Sequence, residues 1–230
     1  EYKVHVFRFY LAFMPSSPMS WGAWILLLVY PASVGLGLGT LSDSDVDRLG
    51  RIPGLRAIRD WARGRLALLA NANILLGAAL GIYTGILLGA LGAARPLWNS
   101  ALLGPLFLVS GASTGAALMM LFPLGHEEHL SLRRWDMGAI GVESVLLGLY
   151  IIGLLTGGGL VGRDAAHLIL GGTYTAPFWV LVVLIGLVLP FGLKAVEASK
   201  NLSPTLLAPV LVLVGGLSLR WVLVAAGQAG

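Results

Sequence analysis

Six stretches of this 230-residue chain are long, apolar and almost free of charged residues. Each provides the roughly 20 residues that an α-helix needs to cross about 30 Å of hydrocarbon. They cover residues 19–41, 65–91, 100–124, 137–158, 174–195 and 205–227. Charged residues make up only 11% of the chain, against about 25% in a typical soluble domain. The sequence therefore predicts an all-α, polytopic transmembrane helix bundle of six spans in a single membrane domain, 1–230, and excludes a soluble domain.

Lysine and arginine are distributed unequally between the connections. The segments 42–64, 125–136 and 194–204, with the flanking Arg65, hold ten basic residues, whereas the opposite side holds four. Basic residues concentrate in cytoplasmic loops, so the first set is predicted to face the cytoplasm and both chain ends the outer side.

The connection 42–65 is the longest polar stretch of the chain. Ser44 followed three residues later by Asp47 predicts a short surface helix that begins with a capping box. The segment is interpreted either as a solvated connector or as a patch that contacts anionic lipid. The formal charge of +4 fits membrane lipid as a partner better than nucleic acid, because no basic stripe is interleaved with aromatic residues.

The residues that usually hold redox metals are scarce. Cysteine is absent, and the four histidines lie outside the predicted spans: His5, His126, His129 and His167. A haem within the bundle would need axial ligands there, so no haem or iron–sulfur cluster is predicted in this chain. The GHEEHL segment at 125–130 spaces its histidines three apart, not four as in a helical HExxH zinc site, which favours a solvated turn over a metal site. Any electrons must then travel through a diffusible organic carrier.

Polar residues inside an apolar span are expensive and mark candidate functional sites. Glu143 lies inside the fourth span, and Asp136 lies seven residues earlier on the same helix face. Together with Arg220, deep in the last span, these residues are candidates for a proton pathway. The alternatives are that Asp136 caps the helix, that Glu143 makes an internal hydrogen bond, and that Arg220 forms a structural ion pair with Glu143. The SGASTG segment, with Ser110, is interpreted as a helix-packing face.

A second group lies near the outer end of the second span. Tyr83 is followed twelve residues later by Arg95 in a short outer loop that also contains Trp98. A tyrosine hydroxyl, an arginine and an aromatic wall would suit the carbonyl oxygens and ring of a quinone. Spacing alone favours a tyrosine of the interfacial aromatic belt at position 83.

Several motifs in one order resemble the NrfD-like, or polysulfide reductase membrane subunit, family. They are SPMSWGAW at 17–24, RPLWN at 95–99, SGASTGAAL at 110–118, the acids at 136 and 143, GGTYTAPFW at 171–179 and LRWVLVAAGQ at 219–228. The resemblance covers essentially the whole chain. It implies a metal-free, multi-pass subunit of the bacterial inner membrane that exchanges electrons with menaquinone or ubiquinone.

The resemblance also implies partners and site residues. A ferredoxin-like iron–sulfur subunit would dock on the outer face near 1–18 and 92–99, with a molybdopterin subunit beyond it, or cytochrome c subunits in an alternative complex III setting. Tyr83 is similar to the family's quinone-contacting tyrosine, and Asp136, Glu143 and Arg220 to positions on a proton route.

The family usually has eight or more spans, two of them before SPMSWGAW, so we expect this chain to be a fragment. Two other functions stay open from the residues: a proton or ion transporter that uses Glu143 and Arg220, and a purely structural anchor. None of the residues is predicted to be catalytic in its own right.

Overall fold

The computed structural model describes residues 14–48, 53–92, 94–200 and 205–229. The described residues form helices and turns without a β-strand, which confirms the all-α prediction. Residues 1–13 of the predicted outer segment 1–18 lie outside the described residues. Contacts divide the chain into two units, Glu1–Tyr83 and Thr84–Gly230.

The first unit contains α1 (Pro18–Thr40), α2 (Asp43–Arg48), α3 (Leu55–Arg63) and most of α4 (Leu66–Ala90). Pro18 begins α1 because its fixed φ suits the first helical turn and its missing N–H has no partner there. The short α3 packs against α1 and buries Arg59 on that side. Between α1 and α4, the Ser33 hydroxyl donates a 2.6 Å hydrogen bond to Asn73 Oδ1.

The residue that caps α2 lies two residues before the one that the sequence predicts. The Asp45 backbone N–H donates to Ser42 Oγ at 3.2 Å, and Ser42 Oγ donates to the Asp45 carboxylate at 2.5 Å. The repeated Ser-Asp pattern offers two candidates with the same spacing, and the helix begins at Asp43, so Ser42 caps it and not Ser44. Asp47 instead pairs with Arg56 at 2.7 Å.

The second unit forms a helical bundle. Its elements are a 3₁₀ turn (Pro96–Trp98), α5 (Leu103–Met119), α6 (His126–Gly157), α7 (Gly159–Leu170), the π-helix π1 (Pro177–Val188), α8 (Leu189–Ser199) and α9 (Leu207–Ala229). The helix α9 packs against π1 and α5, and α5 packs against α6. This arrangement places α5, α6 and α9 around the polar side chains described below.

Five helices in the described part of the chain are long and apolar enough to cross a membrane: Pro18–Thr40, Leu66–Ala90, His126–Gly157, Pro177–Ser199 and Leu207–Ala229. The predicted span 100–124 contains only the 17-residue α5, which is about 26 Å long at 1.5 Å per residue. A turn before Leu103 and Pro123 beyond its end keep it short. The five long apolar helices indicate that the chain is an integral membrane protein.

The fourth predicted span begins earlier than expected. α6 starts at His126, so the GHEEHL segment forms its first turn, where the Gly125 N–H donates to Glu128 Oε2 at 3.0 Å. At 32 residues, α6 is about 48 Å long and must extend beyond roughly 30 Å of hydrocarbon. The segment between the fourth and fifth predicted spans is not only a loop, because it contains α7.

The backbones of Gly186 of π1 and Gly215 of α9 approach each other closely. A methyl group added at Gly186 would lie 2.6 Å from the Gly215 Cα. Where lipid surrounds a protein, close backbone approach between small residues replaces the hydrophobic effect as the cause of helix association.

We expect Gly215→Val to destabilise the second unit by about 1–3 kcal/mol, because the added side chain overpacks this contact. Gly192→Val is the matched control, since a side chain at Gly192 meets open space. Thermal unfolding of the detergent-purified protein, followed by size-exclusion chromatography, measures the difference. Equal transition temperatures for the two variants would contradict the packing argument.

Candidate functional site

The buried face of α6 follows a seven-residue repeat. Its buried residues are Asp136, Ile140, Glu143, Leu147, Tyr150 and Leu154. Steps that alternate between four and three residues keep one stripe facing the neighbouring helices, as in coiled coils. Asp136, Glu143 and Tyr150 therefore lie in one line, as the seven-residue spacing of the two acids predicts.

Asp136 is fully buried, with an exposed fraction of 0%, and it has two polar partners. Ser113 Oγ of α5 donates a 2.6 Å hydrogen bond to one carboxylate oxygen. Lys194 Nζ of α8 forms a salt bridge with the other oxygen. An unpaired charge in such surroundings would be very costly, so the Lys194 ammonium compensates the Asp136 carboxylate.

Lys194 corrects the sequence interpretation, which placed it in a cytoplasmic connection. Its exposed fraction is 1%, and it lies within α8, not after it. The preceding π1 places more residues in each turn than an α-helix does, because its hydrogen bonds span five residues. The π-helix therefore changes the direction, around the helix axis, in which each later side chain projects. For this reason the position of Lys194 does not follow from α-helical periodicity. Nine basic residues remain on the predicted cytoplasmic side against four.

Glu143 and Arg220 are brought together through Ser110. The Arg220 Nη1 donates to the Gly216 carbonyl oxygen at 2.7 Å and to Ser110 Oγ at 3.4 Å. The buried Glu143 interacts electrostatically with both Ser110 and Arg220. In the described part of the chain, Glu143 and Arg220 therefore lie near each other around Ser110 without a direct salt bridge.

These side chains form one group, which we call the buried polar cluster: Ser110, Ser113, Asp136, Glu143, Lys194 and Arg220. Ser110 and Ser113 lie one turn apart on α5, Ser113 beside Asp136 and Ser110 beside Glu143. Two carboxylates and two cations give the cluster no net formal charge, which fits its apolar surroundings. Sequence reasoning treated the serines as packing residues and missed their link to the acids.

The predicted quinone residues Arg95 and Trp98 lie where the RPLWN segment meets the end of α9. Arg95 Nη1 donates to the Gln228 carbonyl oxygen at 3.0 Å, and Trp98 Nε1 donates to the Leu223 carbonyl oxygen at 2.8 Å. The Trp98 ring is 5% exposed. Both residues hold the segment in place, and their contact with a quinone stays a prediction.

Two cavities flank the RPLWN segment within the second unit. One of about 480 Å³ is lined by Pro96, Asn99 and the glycine-rich junction of α6 and α7. The other, of about 330 Å³, lies between α4 and α5 and shares Asn99, Ser100 and Ala101 with the first. Both fall within the range of about 300–1,000 Å³ that is usual for small-molecule sites.

Tyr83 belongs to the first unit, whereas Arg95 and Trp98 belong to the second. The half-buried ring packs directly on Gly22, where any side chain would overlap it. Gly22 lies in the middle of SPMSWGAW, so this motif provides the space for Tyr83. Among the described residues, no group of three or more histidine, aspartate or glutamate side chains is arranged to hold a metal ion.

We expect Lys194→Met to destabilise the protein by about 3–5 kcal/mol, because it leaves the Asp136 carboxylate buried without its cation. The double variant Lys194→Met with Asp136→Asn should recover much of that loss, since both charges are then removed. Thermal unfolding of the single and double variants measures the coupling, with the exposed Lys200→Met as the control. A single variant as stable as the control, or a double variant with no recovery, would contradict the pairing.

Comparison with known proteins agrees with the motif pattern. The family model described as "Polysulphide reductase, NrfD" matches residues 3–230. The chain is 34% identical to Protein NrfD of Escherichia coli over 168 residues, which cover 70% of this chain and 52% of that protein. It is 33% identical to the Protein NrfD homolog of Haemophilus influenzae over 167 residues, which cover 67% of this chain and 50% of the homolog.

A third relative, one of the polysulfide reductase chains of Wolinella succinogenes, matches over more of its length. It is 28% identical over 235 aligned positions, which cover 98% of this chain and 74% of the relative. The chain spans about half the length of the two NrfD proteins. No solved structure matches it.

Proposed function

Because the chain belongs to the NrfD polysulphide reductase family, we propose that it is the membrane subunit of a respiratory oxidoreductase complex in a bacterial inner membrane. In this role it exchanges electrons between the quinone pool and a peripheral iron–sulfur or cytochrome subunit. The family match over residues 3–230 is the observation that carries the proposal. The absence of cysteine from the sequence is consistent with electrons that enter and leave by way of partners.

The residues proposed to contact the quinone are Tyr83 in the first unit and Arg95 and Trp98 in the second, with menaquinone or ubiquinone as the diffusible substrate. A quinol supplies two electrons and two protons when it is oxidised. Tyr83 offers a phenol O–H on a half-buried ring that Gly22 holds in place. Arg95 and Trp98 fix the backbone of the segment beside the 480 Å³ cavity. That cavity has room for a ring whose carbonyl oxygens accept hydrogen bonds.

The buried polar cluster is the proposed proton pathway. In it Asp136 lies beside Lys194 and Ser113, and Glu143 lies beside Ser110 and Arg220. The serine hydroxyls can both donate and accept hydrogen bonds. Charges inside a bilayer are otherwise rare and costly, and the balanced cluster lets either acid exchange a proton beside a compensating cation. Under the predicted orientation, the end with Asp136 faces the cytoplasm.

The proposed partners follow from the same assignment. The RPLWN segment lies on the predicted outer side, where an iron–sulfur subunit would dock, with a molybdopterin or cytochrome c subunit beyond it. The predicted orientation of both chain ends toward the outside belongs to this proposal.

A second candidate function is favoured by the buried polar cluster alone. Two buried acids beside the buried Lys194 and the half-buried Arg220 would also suit a proton or ion transporter that works without a redox partner. The two functions differ in whether proton movement needs quinol, and the second of the following experiments separates them.

We expect Tyr83→Phe to lower quinol-dependent electron transfer about tenfold while the complex still assembles, because it removes one hydrogen bond to the substrate and keeps the ring. The measurement is quinol-driven reduction of the partner's redox centres in the intact purified complex. Tyr30→Phe is the matched control, because Tyr30 is 67% exposed on α1. Unchanged turnover in Tyr83→Phe would remove Tyr83 from the site.

We expect Glu143→Gln to abolish quinol-linked proton movement across the membrane while assembly is retained, because glutamine fills the same space without exchanging a proton. Proteoliposomes that contain the complex and an internal pH dye measure it, with Glu127→Gln in the exposed first turn of α6 as the control. An unchanged ratio of protons to electrons would exclude Glu143 from the pathway. Proton flux without quinol, lost in Glu143→Gln, would support the transporter instead.

A further inference from the structure

A surface groove of about 610 Å³ runs between α5 and α6 in the second unit. Its walls are apolar over most of their length, with one cationic end. The lining residues are Leu108, Val109, Ala112, Arg134, Trp135, Gly138, Ala139 and Val142.

The groove lies on the opposite side of α6 from the buried polar cluster. Val142 is exposed beside the buried Glu143, and Trp135 is 75% exposed beside the buried Asp136. A side chain added at Gly138 would meet no atom within 4 Å, so the glycine leaves the groove open. From Arg134 to Val142 the helix advances about 12 Å, a length suited to part of an extended acyl chain.

The cationic end of the groove, at Arg134, lies three residues before the predicted start of the fourth span at residue 137. Arg134 is exposed and, within the described part of the chain, has no hydrogen-bond or ion-pair partner. Arg133 precedes it and Trp135 follows it, a combination typical of the membrane–water boundary. The only carboxylate between residues 130 and 138 belongs to Asp136, which is turned inward to Lys194. The surface of this turn is therefore positive.

We propose that this groove binds an anionic phospholipid, with one acyl chain between α5 and α6 and the phosphate at Arg134. The guanidinium plane matches a phosphate bidentately, and Trp135 borders the glycerol region. An anionic phospholipid carries a net negative charge, which Arg133 and Arg134 attract. The ammonium group of a zwitterionic lipid is instead repelled by these two arginines. A helix of a partner subunit would instead have to bury the Arg134 charge and supply an acid for it.

The test uses the full complex in liposomes and tryptophan quenching by phospholipids brominated in their acyl chains. The Trp135→Phe variant identifies the share of the fluorescence that comes from Trp135. We expect brominated phosphatidylglycerol to bind beside Trp135 about fivefold more tightly than brominated phosphatidylcholine, as one basic residue near the surface predicts. Arg134→Gln should remove that preference. Arg63→Gln is the control, because Arg63 is an exposed arginine that does not line the groove.

A second variant tests the acyl-chain part separately. Gly138→Leu fills the open space and should reduce Trp135 quenching by both lipids while Arg134 is retained. Equal quenching by the two lipids would overturn the proposal, because the groove would then not distinguish anionic headgroups. The same loss in Arg63→Gln as in Arg134→Gln would overturn it in favour of general surface attraction. No quenching of Trp135 by either lipid would mean that protein covers the groove. Displacement of the brominated lipid by a long-tailed quinone would mean that a quinone tail occupies it.

Discussion

A charge buried in a low-dielectric bundle must have a partner, and the Lys194–Asp136 pair is where the second unit meets this requirement most fully. The pair joins α8 to α6, and Ser113 extends it to α5. Glu143 and Arg220 repeat the arrangement farther along α6, with Ser110 between them. Four helices are thus held in a fixed relation by polar contacts, in surroundings where apolar side chains alone would allow them to slide.

The apolar contacts of the bundle are arranged so that these polar contacts can form. The seven-residue repeat of α6 alternates a polar core position at Asp136 and Glu143 with an apolar one at Ile140 and Leu147. The approach of Gly186 to Gly215 brings π1 and α9 close together, while π1 sets the rotation of α8. Loss of the seven-residue repeat, of the contact between Gly186 and Gly215, or of the π-helix would move Lys194 or Arg220 away from the acids.

Hydropathy predicts the long apolar helices, because a membrane span is a long local signal, but it does not predict α7 or the π-helix π1. The shared face of Asp136 and Glu143 also followed from the sequence, since both lie on one helix. Lys194 did not, because its inward position depends on a π-helix and on a partner 58 residues away. The contact between Arg220 and Ser110 depends on packing across a distance of 110 residues, and the hydrogen bond from Trp98 to the Leu223 carbonyl oxygen is equally non-local.

The hydrogen bond from the Tyr150 hydroxyl to the Leu97 carbonyl oxygen, 2.6 Å long, completes the line of polar residues on α6. Tyr150 lies about 21 Å along the helix axis from Asp136, on one uninterrupted rod. The RPLWN segment and the Asp136–Lys194 pair are therefore attached to the same helix. A displacement of α6 along its axis would move both contacts together.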